Sequence, residues 1–297
     1  MKKQRIGAVA VLVAVVVGMV FVFASCERGA DMVTDAESVS VSVTFSPYEV
    51  MPMTCGSGDI HAGLPLDAVT RAAVADYASR LDAWVYCDGN EVQAVHQTSG
   101  DADFATLSLT LDRRKTYTMY AVAHKGDDVA TLADGVVSFP DDKVTHSFFY
   151  SETFCPWEKT SLSCLMSRIV GQFRLEITDA IPSEVVSFRF SVPQSATRYA
   201  VAGYGTNMVD RVSTIAWNGA SRVFSIFIMG DDDEAKLCKV GVDALDEGGG
   251  VLQSRTFSDV PIRNGYRTNY RGSFFVDGAV SAGFSVDDMI DNETVDF

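Results

Sequence analysis

The residues of this sequence able to do chemistry are six cysteines, four histidines and two acidic runs, and their spacing decides which reactions are open to them. The cysteines are Cys26, Cys55, Cys87, Cys155, Cys164 and Cys238. None forms a C-x-x-C pair. Cys155 and Cys164 would close only a small loop, while Cys87 and Cys238 fall in apolar strand patterns, where a thiol behaves as a small buried hydrophobe. His61, His96, His124 and His146 stand singly, whereas metal ligands come in close sets of defined spacing, so each is expected in a loop or at a strand end. Asp231-Asp232-Asp233-Glu234 and the tail from Asp287 to Asp296 lack the alternating ligands of a calcium loop and read as solvated turns. There is no G-x-S-x-G elbow and no H-E-x-x-H, and Gly203-Tyr204-Gly205 lacks a third glycine. The sequence therefore predicts no catalytic residue, no metal and no cofactor. Trp84, Tyr117, Phe188 and Phe190 are placed on strand faces as core rather than as a sugar-stacking platform.

Cys26 is different because of what precedes it. Lys2, Lys3 and Arg5 are followed by an uncharged apolar run from Ile6 to Phe23, and Ala24-Ser25 set two small residues against Cys26. Residues 1–25 read as a secretory signal peptide. Its Phe23-Ala24-Ser25-Cys26 end resembles the bacterial lipoprotein signal, which implies a Cys26 that is acylated with palmitate-type chains and becomes the new N-terminus. Two or three such chains hold a protein on a membrane stably where one does not. The competing reading is an uncleaved signal anchor, since the apolar run is long enough to span a bilayer. A lipid on Cys26 leaves five cysteines, an odd number, so at least one thiol stays unpaired or pairs between chains.

Removing Lys2, Lys3 and Arg5 with the signal takes the formal charge from −15 to −18. A surface so acidic repels phosphate backbones and anionic lipid headgroups, so no nucleic-acid partner is expected. With 47% hydrophobic and 21% charged residues in 297, the chain is globular and long enough for two domains.

The elements available to position any site are strands. Residues 26–35 form a short polar tether, and Ser38 to Phe45 then alternates strictly, with Val39, Val41, Val43 and Phe45 on one face. Tyr48 to Pro65 has no period and reads as a loop, and Asp67 is placed to cap a short helix toward Tyr77. Leu81 to Cys87, the Asp88-Gly89-Asn90 turn and Glu91 to His96 read as a hairpin. Ala105 to Leu111, Thr116 to His124 and Ser147 to Tyr150 continue the pattern. Glu152 to Ser163, with Pro156 and Trp157, interrupts it, and strands resume at Ile169 to Ile177, Val186 to Val192, Val212 to Trp217, Val223 to Met229, Leu237 to Leu245, Val251 to Phe257 and Tyr266 to Phe275. Each strand has an apolar face that only a second sheet can cover. The expectation is all-β: two antiparallel β-sandwich domains in tandem, residues 36–158 and 159–297.

Several stretches carry a likeness to a known family. Lys239 to Leu245, the Asp246-Glu247-Gly248-Gly249-Gly250 turn and Val251 to Phe275 resemble the closing strands of the fimbrillin-associated anchor family of Bacteroidales type V fimbriae. Leu81 to Val92 after a lipobox, Leu107 to His124 and Ser167 to Ile177 agree more loosely. The resemblance implies a transthyretin-like tandem sandwich and a lipoprotein on the outer membrane, with no active site. Such a fimbrial anchor or accessory subunit binds other fimbrial subunits through strand edges, in the manner of strand donation. Stalk subunits of that family are instead cut by an Arg-specific protease, and Arg71 and Arg80 are the possible processing points. The alternatives are therefore a processed stalk or tip pilin (an adhesin) and, from another class, a surface glycan-binding lipoprotein.

Overall fold

Alternating sequence becomes strand almost everywhere. The structure, a computed structural model, describes residues 38–47, 73–231, 234–276 and 283–288, so Cys26, Cys55, His61 and Arg71 lie outside the described residues. The strands in chain order are β1 (Ser38–Pro47), β2 (Arg80–Cys87), β3 (Asn90–Thr98), β4 (Thr106–Asp112), β5 (Tyr117–His124), β6 (Thr131–Ala133), β7 (Val136–Ser138), β8 (Ser147–Phe154) and β9 (Ser161–Arg168). They continue with β10 (Val170–Ile177), β11 (Ser187–Ala200), β12 (Tyr204–Ala216), β13 (Val223–Met229), β14 (Lys236–Leu245), β15 (Val251–Ile262), β16 (Tyr266–Gly272) and β17 (Gly283–Asp288).

The first seven-stranded set runs β3-β2-β5-β8-β9-β1-β4. Only Phe148↔Arg168 and Phe149↔Ser167 join β8 to β9, so the path folds over into two layers, β3-β2-β5-β8 against β9-β1-β4. Between them lie Val41, Val43 and Phe45 of β1, Leu107, Leu109 and Leu111 of β4, Leu81, Ala83 and Val85 of β2, and Leu162, Cys164 and Met166 of β9. Burying one large apolar side chain contributes about 1.5–3 kcal/mol, and the strict alternation is what directs all of them to one side.

The second set repeats the wiring. β12-β11-β14-β15 faces β13-β10-β16, and the two layers share only the Ala196↔Met229 pair. As β1 pairs antiparallel with β4 and parallel with β9, so β10 pairs antiparallel with β13 and parallel with β16. Phe173, Phe188, Phe190, Phe224, Ile226, Val240 and Val242 fill this second core. β17 adds one strand beyond β16. The molecule is thus all-β, two sandwiches in series.

One expectation changes, and two features go beyond the reading of the sequence. The helix expected toward Tyr77 is, among the described residues, a single 3-10 turn at Val74–Asp76, because the Ser79 amide already bonds the His124 carbonyl at 3.1 Å and sheet pairing begins there. The division expected at 158/159 falls between β8 and β9, yet β9 sends Leu162, Cys164 and Met166 into the first core. And the segment between β5 and β8 holds a hairpin, β6–β7, turned at Asp134 and Gly135 with φ of 50° and 71°. Two residues at positive φ give the mirror-image turn that matches strand twist.

That hairpin crosses from one sandwich to the other. β7 pairs with the end of β11 through Arg198↔Ser138, Tyr199↔Val137 and Ala200↔Val136. β11 can serve both places because its register shifts between Val192 and Ser195, with Gln194 at φ 49°. Such a bulge redirects a strand: Phe188, Phe190 and Val192 face the second core, while Ala196 and Tyr199 join a third apolar cluster with Trp84, Val122, Val137, Phe139, Phe149, Val170 and Met229. The outer face of β2 and β5 is therefore covered rather than solvated.

Candidate assembly site

β1 is the first strand among the described residues. Its backbone is paired on both sides, from Ser38↔Asp112 to Thr44↔Thr106 on β4 and from Ser42↔Ser161 to Pro47↔Met166 on β9. Val41 and Val43 are completely buried. Taking β1 away would open a groove walled by β4 and β9 over the facing Leu81, Ala83 and Val85 of β2, with two rows of backbone groups seeking partners. The long outer strands supply the complementary feature: among the described residues β3, β4, β12 and β15 each pair along one side only. On β12, Tyr204, Met208 and Val212 are exposed. Unpaired edges of this length are templates for adding a strand from another chain.

Sequence reasoning placed Arg80 as a cleavage point. It sits in β2, its backbone facing Thr98 on one side and His124 on the other. Its guanidinium donates to the Asp127 carbonyl at 2.9 Å. The Arg80–Leu81 bond is thus inside a paired strand of the folded body. Cys87, Cys155, Cys164 and Cys238 are free thiols, and burial pushes Cys164 up to about 11. Trp84, Tyr117, Phe188 and Phe190 are all buried.

One constellation the sequence did not reveal is built around Asp82. Its side chain has no exposed surface, and it accepts from His96 Nδ1 at 2.9 Å, His124 Nε2 at 3.2 Å and the Ala130 amide at 2.9 Å. Burial alone raises the Asp82 pKa; the His124 bond, the Ala130 amide and the His96 bond outweigh it and hold the carboxyl below its ordinary value. The available signal was an acidic residue inside the apolar stretch Leu81 to Val85. A plain two-residue hairpin would have set Asp82 opposite Val95; the register shift between Val85 and Tyr86 brings His96 there instead. Through Ala130 the carboxylate latches the start of the β6–β7 arm to β2. Among the described residues no group of three or more His, Cys, Asp or Glu is placed to hold a metal.

His146 works at the same boundary in neutral form. Arg168 Nε donates to its Nε2 at 3.0 Å, and its ring stacks on Phe227 of β13 at 4.9 Å and 6°. Burial first, then the Arg168 charge, lowers its pKa to about 3.

No protein-family model and no curated protein matches this chain. Solved structures do. A candidate cell adhesion protein from Bacteroides uniformis is 14% identical, with a TM-score of 0.48 over 84% of this chain and 97% of that one. A fimbrial assembly protein from Parabacteroides distasonis is 9% identical, with a TM-score of 0.45 over 85% of this chain and 96% of that one. The tip fimbrial protein Mfa3 from Porphyromonas gingivalis, with C-terminal truncation, is 11% identical, with a TM-score of 0.45 over 85% of this chain and 100% of that one.

Proposed function

We propose that this protein is a lipid-anchored fimbrial anchor or accessory subunit of the outer membrane, tethered through acyl chains on Cys26 and joined to other fimbrial subunits along exposed strand edges. The observation that carries the reading is β1. The first strand after the tether is also the central strand of the β9-β1-β4 layer, so a pull on Cys26 enters the protein along a strand bonded on both sides. Force along that axis loads the paired backbone groups together in shear instead of opening them one by one. Partner strands added at β3, β12 or β15 gain affinity from main-chain hydrogen bonds and register from alternate side chains.

A specific feature supports a second reading, the processed stalk or tip subunit. Arg71 lies between β1 and Ala73, where the described body resumes, so a cut there removes Cys26 covalently and leaves β1 held only by pairing and packing. Arg80 lies within paired β2, so a cut after it needs that strand to open first. Intact mass of the protein purified from its own cells separates the two: an acylated Cys26 as N-terminus fits the anchor, and Ala72 or Leu81 as N-terminus overturns it. Deleting the protein is expected to release assembled filaments into the medium; filaments still cell-bound in its absence would also refute the anchoring role.

A further inference from the structure

The net charge of this chain disfavours anionic surfaces, yet one end of the first sandwich departs from it. Arg113-Arg114-Lys115 is the one run of three basic residues in the sequence, and it forms the turn between β4 and β5. Arg114 and Lys115 are exposed. The β8–β9 turn packs beside it. The Trp157 amide donates to the Arg113 carbonyl at 3.1 Å, and the Glu158 and Lys159 amides bond the Cys155 carbonyl at 2.9 and 3.0 Å. The Arg113 guanidinium carbon lies 3.9 Å from the Trp157 ring centroid. At 65%, Trp157 is the most exposed large apolar side chain among the described residues. Asp88, Asp112, Glu158 and Lys159 share this end; the Asp112 carboxylate accepts the Arg114 amide at 3.0 Å, and Lys159 pairs with Glu152. The local sum is near neutral while the whole chain is strongly acidic.

The position of this patch gives it meaning. Ser38 pairs with Asp112, so the chain enters the sandwich at the patch. Only residues 27–37 separate Ser38 from Cys26, a span of at most about 40 Å when fully extended. A tryptophan ring with a cation against it, fixed in a turn, is the amphipathic combination that settles at the headgroup level of a bilayer. Charges farther off than the Debye length of about 8 Å are screened, so the acidic remainder of the body is not felt at the patch, where Asp88, Asp112 and Glu158 offset the basic side chains and leave it near neutral. We infer that this end of the first sandwich docks on the anionic phospholipid surface beneath it. Trp157 enters the headgroup layer, and Arg113, Arg114 and Lys115 meet lipid phosphates. The inference rests on the proposed lipid anchor at Cys26, and it adds a second attachment beside the lipid, with β1 aligned toward the membrane.

The test uses the purified native protein reconstituted in phosphatidylglycerol vesicles with brominated acyl chains, read by tryptophan fluorescence. Trp84 is buried and Trp217 is packed against the second core, so quenching by lipid reports on Trp157. The expected result is strong quenching that disappears in Trp157→Ser. It should also weaken in phosphatidylcholine, in high salt and in the triple variant Arg113→Ser, Arg114→Ser, Lys115→Ser, since each basic residue at an anionic surface shifts partitioning by about fivefold. Native protein quenched no more than Trp157→Ser overturns the docking. The N-terminal mass is measured on the same sample. An acylated Cys26 without quenching sinks the docking and leaves the anchor standing; a lipid-free N-terminus sinks the anchor, and quenching with added vesicles then decides the docking alone. Circular dichroism matched to the native protein confirms that both variants fold.

Discussion

Replacing Asp82 by alanine tests whether a buried carboxylate holds the two sandwiches together. The variant leaves the Ala130 amide and the almost fully buried His124 without their acceptor, while His96, at 37% side-chain exposure, can turn to water. A buried donor left unsatisfied costs about 1–3 kcal/mol, so Asp82→Ala is expected to lose about 2–6 kcal/mol in denaturant unfolding. Asp82→Asn keeps one oxygen where His124 and Ala130 donate, and its amide can meet His96 in the other tautomer, so its loss should stay below about 2 kcal/mol. The pH dependence follows from the lowered folded-state pKa. Stability from this group is present above the ordinary aspartate value of 3.8 and is lost as pH falls through the folded value, so the native protein weakens below about pH 4 along a slope that Asp82→Asn lacks. Hydrogen exchange over residues 130–138 gives the local readout, because freeing Ala130 should unfasten the β6–β7 arm. An alanine variant as stable as the asparagine one, with unchanged exchange in that arm, would refute the latch.

Phe188→Ala removes a fully buried ring that packs 4.2 Å from Phe224, and calorimetry or denaturant titration should show a loss of about 3–5 kcal/mol. Trp157→Ser, on the surface, should change stability by less than about 0.5 kcal/mol. Brief digestion of the native protein with an Arg-specific protease should cut after Arg71 and spare Arg80, whose peptide bond lies within paired β2; a new N-terminus at Leu81 under native conditions would contradict the strand assignment. In alkylation of the native protein at mildly alkaline pH, followed by mass spectrometry, Cys164 should react last, being buried and shifted to about 11. Equal rates for Cys155 and Cys164 would count against the packing of β9.

Alternation with period two was enough to locate most strands, because the choice between core and solvent is made residue by residue along the chain. Ser38 to Phe45 announced β1 unaided, and Asp88-Gly89 announced the hairpin of β2 and β3. β9 escaped because Leu165 points outward at 45% exposure and blurs the alternation of Leu162, Cys164 and Met166, next to a turn marked by Pro156 and Trp157. β6 and β7, three residues each, are too short to carry a period; their Asp134-Gly135 turn was the one legible sign.

The acidic balance, the run of apolar residues before Cys26 and the absence of familiar catalytic spacings were properties of composition and order, which no folding is needed to read. Tertiary structure decided the rest. β1 lies parallel to β9, more than a hundred residues later, and a parallel pairing leaves no turn in the sequence to declare it. Asp82, His96 and His124 meet only because a one-residue register shift in a hairpin and a separate strand bring them to one buried point. Strand identity is written locally in side-chain alternation; which strands become neighbours is settled by nonlocal packing of the faces they expose.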